Sequence, residues 1–241
     1  MLILAHRGAS GHAPENTFAA FDLALSMGAD GIETDVQVTR DGALVLIHDE
    51  TVDRTTNGIG RVAELTREEL AGLDAGRWFG AAYAGERIPL LDAFLDRYLG
   101  LLRLDLEIKA PAATGPLIAA LLARHIVNDG SVEVTSFSWD ALTRVHALLP
   151  DLPVGFLTTT LSESLLARVA ALGLAQICPL VTALSPALVA HAHERGLAVR
   201  TWGIEKPTDL ERAHAAGVDG ATLNWPEWAV SMEDGPRMVG P

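Results

Sequence analysis

The sequence predicts an α/β fold: a TIM-type (β/α)8 barrel of parallel strands, each followed by a helix, with an insertion after the second strand. Three observations carry this expectation. From residue 131 onward, short runs rich in Val, Leu and Ile begin every 21 to 23 residues, which is room for a strand, a turn, a helix of about 10–12 residues and a second turn. Those runs, at 131–136, 153–157, 174–178, 197–202 and 218–222, join others at 2–5, 30–36 and 102–108 to make eight. A chain of 241 residues has the length that eight such units need. The competing arrangement, an open doubly wound sheet, would carry G-x-G-x-x-G after its first strand, whereas Gly8 and Gly11 lead into Pro14.

Each element has a local reason. The first strand is an apolar run closed by His6 and Arg7, and a helix over 17–27 follows, stopped by Gly28. After the second strand, Thr39-Arg40-Asp41-Gly42 is a turn signal between apolar runs. Residues 43–47 are therefore expected to fold back antiparallel, bringing 47–50 opposite 32–35. Residues 50–88 are polar, rich in Gly and Arg, and too long for an ordinary connection, so they are expected to form an inserted loop region over the barrel mouth. Pro89 is expected to open a helix running through Leu99. Helices over 138–149, 162–172 and 185–195 begin with a Ser in the cap region, and that over 207–216 begins with a Pro whose missing N–H costs nothing there. Gly173, Gly196 and Gly217 sit just past helix ends, where a left-handed residue closes a helix. One catalytic domain is expected over 1–241.

Composition narrows the class. Hydrophobic residues make up 49% and the formal net charge is −13, a globular chain that repels polyphosphate and anionic lipid, so neither nucleic acid nor a membrane is an expected partner. Cys178 is alone and excludes an internal disulfide. Leu2-Ile3-Leu4-Ala5 meets His6 and Arg7 at once, too short for a signal-peptide core, and no run reaches the roughly 18 apolar residues of a membrane span. No stable membrane anchor is expected, and the expected location is cytoplasmic.

In such a barrel, chemistry sits at the C-terminal ends of strands. His6 and Arg7 end the first, Glu33 and Asp35 the second, His48 and Asp49 the hairpin return, and Asp105, Glu107 and Lys109 the third. The period of two puts Glu33 with Asp35, and Asp105 with Glu107 and Lys109, opposite the apolar face. Converging carboxylates repel one another and resist burial unless a cation compensates them. The oxygen-only set Glu33, Asp35 and Glu107 suits one divalent cation, Mg²⁺ or Ca²⁺, between which the sequence does not choose. Asp105 is left outside that set as a candidate hydrogen-bonding residue of the barrel interior. His6 and His48 titrate nearest neutrality when unperturbed. Beside a metal, Arg7 and Lys109 they make a constellation for displacement at phosphorus, with one His taking a proton and the other giving one. Asp49 is expected to orient a neighbour, Arg54 to pair with Glu15, Trp202 to line the pocket, and the six remaining His residues to be ordinary polar side chains.

His6-Arg7-Gly8, Pro14-Glu15-Asn16-Thr17, Glu33-Thr34-Asp35-Val36, Asp41-Gly42 with His48-Asp49, Arg54-Thr55-Thr56 with Gly58, and Leu106-Glu107-Ile108-Lys109 together resemble the glycerophosphodiester phosphodiesterase family in order and spacing. The resemblance is dense over 1–60 and 104–109 and continues more weakly through Ser136-Phe137, Trp202 and Gly217-Val218-Asp219-Gly220. It implies a TIM barrel, a divalent metal, and hydrolysis of a small glycerophosphodiester to an alcohol and sn-glycerol 3-phosphate. It carries over His6 and His48 as the acid/base pair, Glu33, Asp35 and Glu107 as ligands, and Arg7 and Lys109 as phosphate contacts. The glycerol 2-hydroxyl is then the implied first nucleophile, giving a cyclic phosphate that water opens. Trp202-Gly203-Ile204-Glu205 and Leu223-Asn224-Trp225-Pro226 stand where the family has W-T-V-N and T-D-x-P. These departures are expected to alter the far wall of the pocket while sparing the metal and acid/base positions. A lipid phosphodiesterase of the phospholipase D-like kind and a non-catalytic phosphoester-binding barrel are the alternatives.

Overall fold

The computed structural model describes residues 1–126 and 130–229. The single-domain expectation over 1–241 includes residues 127–129 and 230–241, which lie outside the described residues.

Strand β1 (Leu2–His6) leads into helix α1 (Phe18–Ser26), whose first turn is capped by the Thr17 hydroxyl accepting from the backbone of Ala20. Strand β2 (Gly31–Val38) pairs parallel with β1, and the short β3 (Leu44–Leu46) folds back antiparallel on the end of β2. The register pairs Val36 with Leu46, and the Ile47 amide reaches the Asp35 carbonyl at 3.0 Å. That is the fold-back expected from the D-G turn, with a shorter ladder. β1 makes it possible by stopping at His6, which leaves the last residues of β2 without a parallel neighbour on that side.

Residues 50–88 bury Val52, Val62 and Leu70 with Val45 and Ile47 of the hairpin as a second, smaller apolar cluster. They contain a helix that periodicity does not announce, α2 (Arg67–Ala71), opened by a reciprocal cap between Thr66 and Glu69. The next helix, α3 (Leu91–Tyr98), begins later than expected, because Pro89 offers its carbonyl to the Leu46 amide and Leu90 bridges to Val45.

The remaining units follow in order: β4 (Arg103–Ile108), α4 (Thr114–Ala123), β5 (Val132–Ser136), α5 (Trp139–Leu148), β6 (Val154–Thr158), α6 (Glu163–Ala171), β7 (Gln176–Pro179), α7 (Pro186–Glu194), β8 (Ala198–Ile204), α8 (Pro207–Ala216) and β9 (Gly220–Leu223). Eight parallel strands close when β9 pairs with β1, and β3 lies outside the ring. Ser138 and Ser162 cap as expected; Ser185 occupies the cap position without a side-chain bond, leaving Pro186 to open α7. Among the described residues, no helix is long and apolar enough to cross a membrane.

Ile32, Val36, Leu104, Leu106 and Ile108 face the helices in the main core, where Phe21, Phe94 and Tyr98 pack ring against ring. The other strand face points into the barrel lumen, where branched aliphatic layers are usual. Here the lumen is polar. Arg200 spans it from β8, pairing with Asp105 and with Glu133 at 3.3 Å, and donating to Thr222. Thr135 donates to Asp105, and Gln176 to Glu133, both at 2.8 Å. Asp105 is therefore the interior hydrogen-bonding residue that its sequence position allowed.

At the mouth, Arg7 (φ 57°) and Gly8 (φ 81°) are both left-handed and turn the chain sharply off β1. A Cβ on Gly8 would stand 2.6 Å from the Ala20 carbonyl carbon. Gly8→Ala should therefore destabilise the fold by about 1–3 kcal/mol or more, read as a lowered denaturation midpoint with an unchanged slope.

Candidate active site

Registry assembles the acids. β1 sets His6 beside Glu33, and β2 sets Asp35 beside Glu107. One oxygen from each of Glu33, Asp35 and Glu107 lies within 4.8 Å of the others, all three residues buried. Glu33 Oε1 and Asp35 Oδ1 are buried without a hydrogen-bond partner among the described residues. Burial, then the charges of Asp35, Glu107 and Asp105, holds Glu33 well above its ordinary range. Burial and Asp35 push Glu107 up to about 7 against the pull of Lys109. Burial acts on Asp35 too, yet Arg7, His48 and Lys109 outweigh it and hold that carboxyl below its usual range. Arg7 Nε stands 3.1 Å from Asp35, and Lys109 Nζ 2.9 Å from Glu107 and 3.7 Å from Asp35. Two cations thus border three acids that still leave oxygens unsatisfied. An all-oxygen, partly unpaired donor set of this kind fits a hard divalent ion.

The two histidines flank the trio, each with its own support. His6 Nε2 lies 3.9 Å from Glu33, and its Nδ1 is 2.6 Å from Asn224 Oδ1. Burial of the ring, reinforced by the charge of Arg7, lowers His6 to about 4. His48 Nδ1 is 2.6 Å from Asp49, whose carboxylate Arg54 clamps and holds well below its usual range. Arg54 also donates twice to Glu15 at 2.8 Å, and Glu15 accepts from Arg7 at 2.9 Å. One guanidinium therefore ties the hairpin return to the loop after β1.

Three supports were legible only in part. Asn16, left-handed at φ 55°, donates to Asp35 at 2.8 Å and accepts from Thr34 at 2.7 Å. It stood inside a recognised motif without a role. Gln37, buried on the face of Glu33 and Asp35, donates to the His48 carbonyl at 3.1 Å and to that of Asp49. Extending the alternation by one step would have found it. Arg200 was a lone charge in an apolar strand.

A cavity of about 110 Å³ opens among these groups, lined by His6, Arg7, Glu33, His48, Glu107 and Lys109 and walled by Phe137, Leu157 and Trp202. Every sequence-predicted site residue except Asp35 lines it, and Asp35 sits directly behind as the buried partner of Arg7 and Lys109.

A family model described as the glycerophosphoryl diester phosphodiesterase family matches residues 6–227. The chain belongs to this family. It is 38% identical to a glycerophosphodiester phosphodiesterase of Caldanaerobacter subterraneus subsp. tengcongensis over 96% of this chain and 97% of that one. A solved phosphodiesterase of Oleispira antarctica, in complex with the product sn-glycerol-3-phosphate, superposes with a TM-score of 0.89 at 30% identity, covering 98% and 97% of the two chains. A glycerophosphodiester phosphodiesterase structure from Agrobacterium tumefaciens gives 0.83 at 31% identity, covering 95% and 98%. The protein is accordingly a hydrolase of phosphoric diesters.

Against the family pattern, the two departures fall differently than expected. Gly203 is a far-wall feature: it is left-handed at φ 76°, a Cβ there would meet Leu180 at 2.3 Å, and the register shift between Thr201 and Ile204 brackets it. Trp202, beside this bulge, lines the cavity, meets Phe137 in a T-shaped ring contact and donates its indole N–H to the Cys178 carbonyl. Asn224, by contrast, touches His6 itself. Its Oδ1 contacts both His6 and the Ser10 hydroxyl, where the family's aspartate would bring a formal charge.

The trio predicts a stability change of definite sign. Glu107 has its folded pKa raised from 4.5 to about 7, so its ionised form opposes folding above that range and the effect vanishes below pH 4.5. Metal-free Glu107→Gln should be more stable than the parent by about 1–3 kcal/mol at pH 8 and equal to it near pH 4.5. Denaturant titrations at the two pH values check this.

Proposed function

We propose that the protein hydrolyses glycerophosphodiesters to an alcohol and sn-glycerol 3-phosphate in a metal-dependent reaction with His6 and His48 as the acid/base pair. The observation that carries this reading is the partly unpaired acid trio beside two independently supported histidines that line one cavity with Glu33 and Glu107. The product bound by the Oleispira relative is of the same chemistry.

Glu33, Asp35 and Glu107 would hold the divalent ion, Mg²⁺ or Ca²⁺. When bound, it supplies charge neutralisation for the phosphoryl oxygens. Arg7 and Lys109 stand at the trio's border to hold the remaining phosphoryl charge, each anchored by carboxylates that also orient it. His6, neutral because of its burial, accepts the proton of the attacking glycerol 2-hydroxyl at Nε2. Asn224 fixes the ring by its Nδ1. His48, its own Nδ1 held by Asp49, delivers a proton to the leaving alkoxide. Water then opens the cyclic ester with the two roles exchanged. Trp202 and Phe137 wall the pocket.

His6→Ala and His48→Ala should each lower kcat by roughly 10²- to 10⁴-fold while the fold persists, measured as sn-glycerol 3-phosphate released from glycerophosphocholine. Chelator should abolish that release and Mg²⁺ or Ca²⁺ restore it; release indifferent to chelator would refute the metal-dependent reading. Because the formal net charge is −13, substrate capture should follow divalent-ion loading far more than moderate NaCl.

A further inference from the structure

His6 is the last residue of β1, but His48 belongs to no strand. The ladder between β2 and β3 ends where Val36 faces Leu46, the Ile47 amide makes one more bond to the Asp35 carbonyl, and His48 and Asp49 follow in a bend. Among the described residues no backbone amide donates to the carbonyls of Ile47, His48 or Asp49. A carbonyl withdrawn from water still needs a donor, and one side chain supplies it.

That side chain is Gln37. It stands two residues beyond Asp35 on the same face of β2 and is 4% exposed. Its amide nitrogen lies 3.4 Å from the Ile47 carbonyl and 3.1 Å from that of His48, and it donates to that of Asp49. The two protons of one amide are thus shared over three consecutive carbonyls. Register sets Gln37 opposite Val45, three residues before His48, so the side chain spans from the ladder to the bend beyond it.

The other hold on this bend acts on side chains. Asp49 takes His48 Nδ1, and Arg54 takes Asp49. Both members of that ion pair are partly exposed, and an exposed pair restrains its residues weakly. Gln37 restrains the backbone from the buried side, where an unmade hydrogen bond is costly because water does not replace it. The place of His48 is set by Gln37, and the direction of its ring by Asp49. Gln37 is not among the residues lining the cavity that His48 shares with His6, Glu33 and Glu107; it reaches the neighbouring groove beside Asp49 and Ala110. Its effect on the reaction therefore runs through His48.

We propose that Gln37 is the positioning residue for His48: its amide clamps the bend so that the ring meets the leaving oxygen, and loss of the clamp falls on proton delivery while sparing substrate binding. The proposal rests on the function proposed above, in which His48 protonates the leaving alkoxide. Proton delivery matters more as the leaving group becomes more basic. Choline leaves as an alkoxide that needs the proton, whereas p-nitrophenolate leaves without one. A displaced His48 penalises the first and spares the second, and a general loosening of the site penalises both.

The test follows alcohol release in a single turnover of the Mg²⁺-loaded protein, so that opening of the cyclic ester does not enter. The substrates are glycerophosphocholine and the p-nitrophenyl diester of sn-glycerol 3-phosphate. Gln37→Met keeps the length of the side chain and removes its donors. It should slow choline release by roughly 10- to 100-fold and nitrophenol release by less than about threefold, with half-saturating concentrations within about threefold of the parent. His48→Ala should show the same selectivity, and adding Gln37→Met to it should cost nothing further, because the two residues act as one unit. Gln37→Asn, whose amide is one methylene short, provides the same comparison should the Met variant not fold. Equal losses on the two leaving groups, an additional loss in the His48→Ala background, or parental choline release by a folded Gln37 variant would overturn the positioning role while leaving the proposed function standing. A His48→Ala variant without leaving-group selectivity would instead overturn the proton-donor assignment, and the proposal with it.

Discussion

Three carboxyl groups forced together in a buried barrel mouth are the constraint on which the rest of the site depends. Taking each such charge out of water costs several kcal/mol, and their mutual repulsion adds to it. Glu33 and Glu107 are consequently held toward their protonated forms, while Asp35 stays ionised only because Arg7, His48 and Lys109 surround it. Arg7 and Lys109 are too few, and too much shared with Glu15 and Glu107, to satisfy every oxygen. A barrel that keeps this arrangement sacrifices stability at a place where a divalent cation would return it, which is the usual relation between a binding site and the fold that carries it.

The scaffold holds these groups where repulsion would otherwise scatter them. Parallel registry sets His6 beside Glu33 and Asp35 beside Glu107. The early end of β1 opens the flank of β2 to the hairpin that delivers His48 and Asp49. Arg54 then joins that return to Glu15, and Glu15 to Arg7. The two acid/base candidates thus sit on different segments braced by one ion-pair chain. Below them the polar lumen trades the usual aliphatic layers for an Arg200-centred network, which is costly to bury unless every partner is present. Within it Arg200 Nε stays buried without a hydrogen-bond partner among the described residues.

Much of this was legible in the chain. The 21-to-23-residue recurrence gave the barrel, the D-G turn gave the fold-back, and period-two alternation gave the shared face of Glu33 and Asp35, because each depends on local geometry alone. The capping pair Thr66 and Glu69 was readable as a Thr-Arg-Glu-Glu helix start but lay in a stretch without apolar periodicity. Asn224 and Arg200 were not readable in role, since their partners His6 and Asp105 are 218 and 95 residues away, and only barrel closure brings them together. The start of α3 was displaced for the same reason: Pro89 and Leu90 answer to the hairpin strand across from them.

Ion binding to a trio held toward protonation must expel protons, and this distinguishes a metal site from a merely acidic mouth. The direct measurement is a calorimetric Mg²⁺ or Ca²⁺ titration of the metal-free protein at pH 6.5, in two buffers of different ionisation enthalpy, which counts ions bound and protons released. One ion per chain with release of about one to two protons is the expected result, with fewer protons released and weaker binding in Glu33→Gln. Binding with no proton release, or no saturable binding at all, would contradict the central role given to the carboxylate trio.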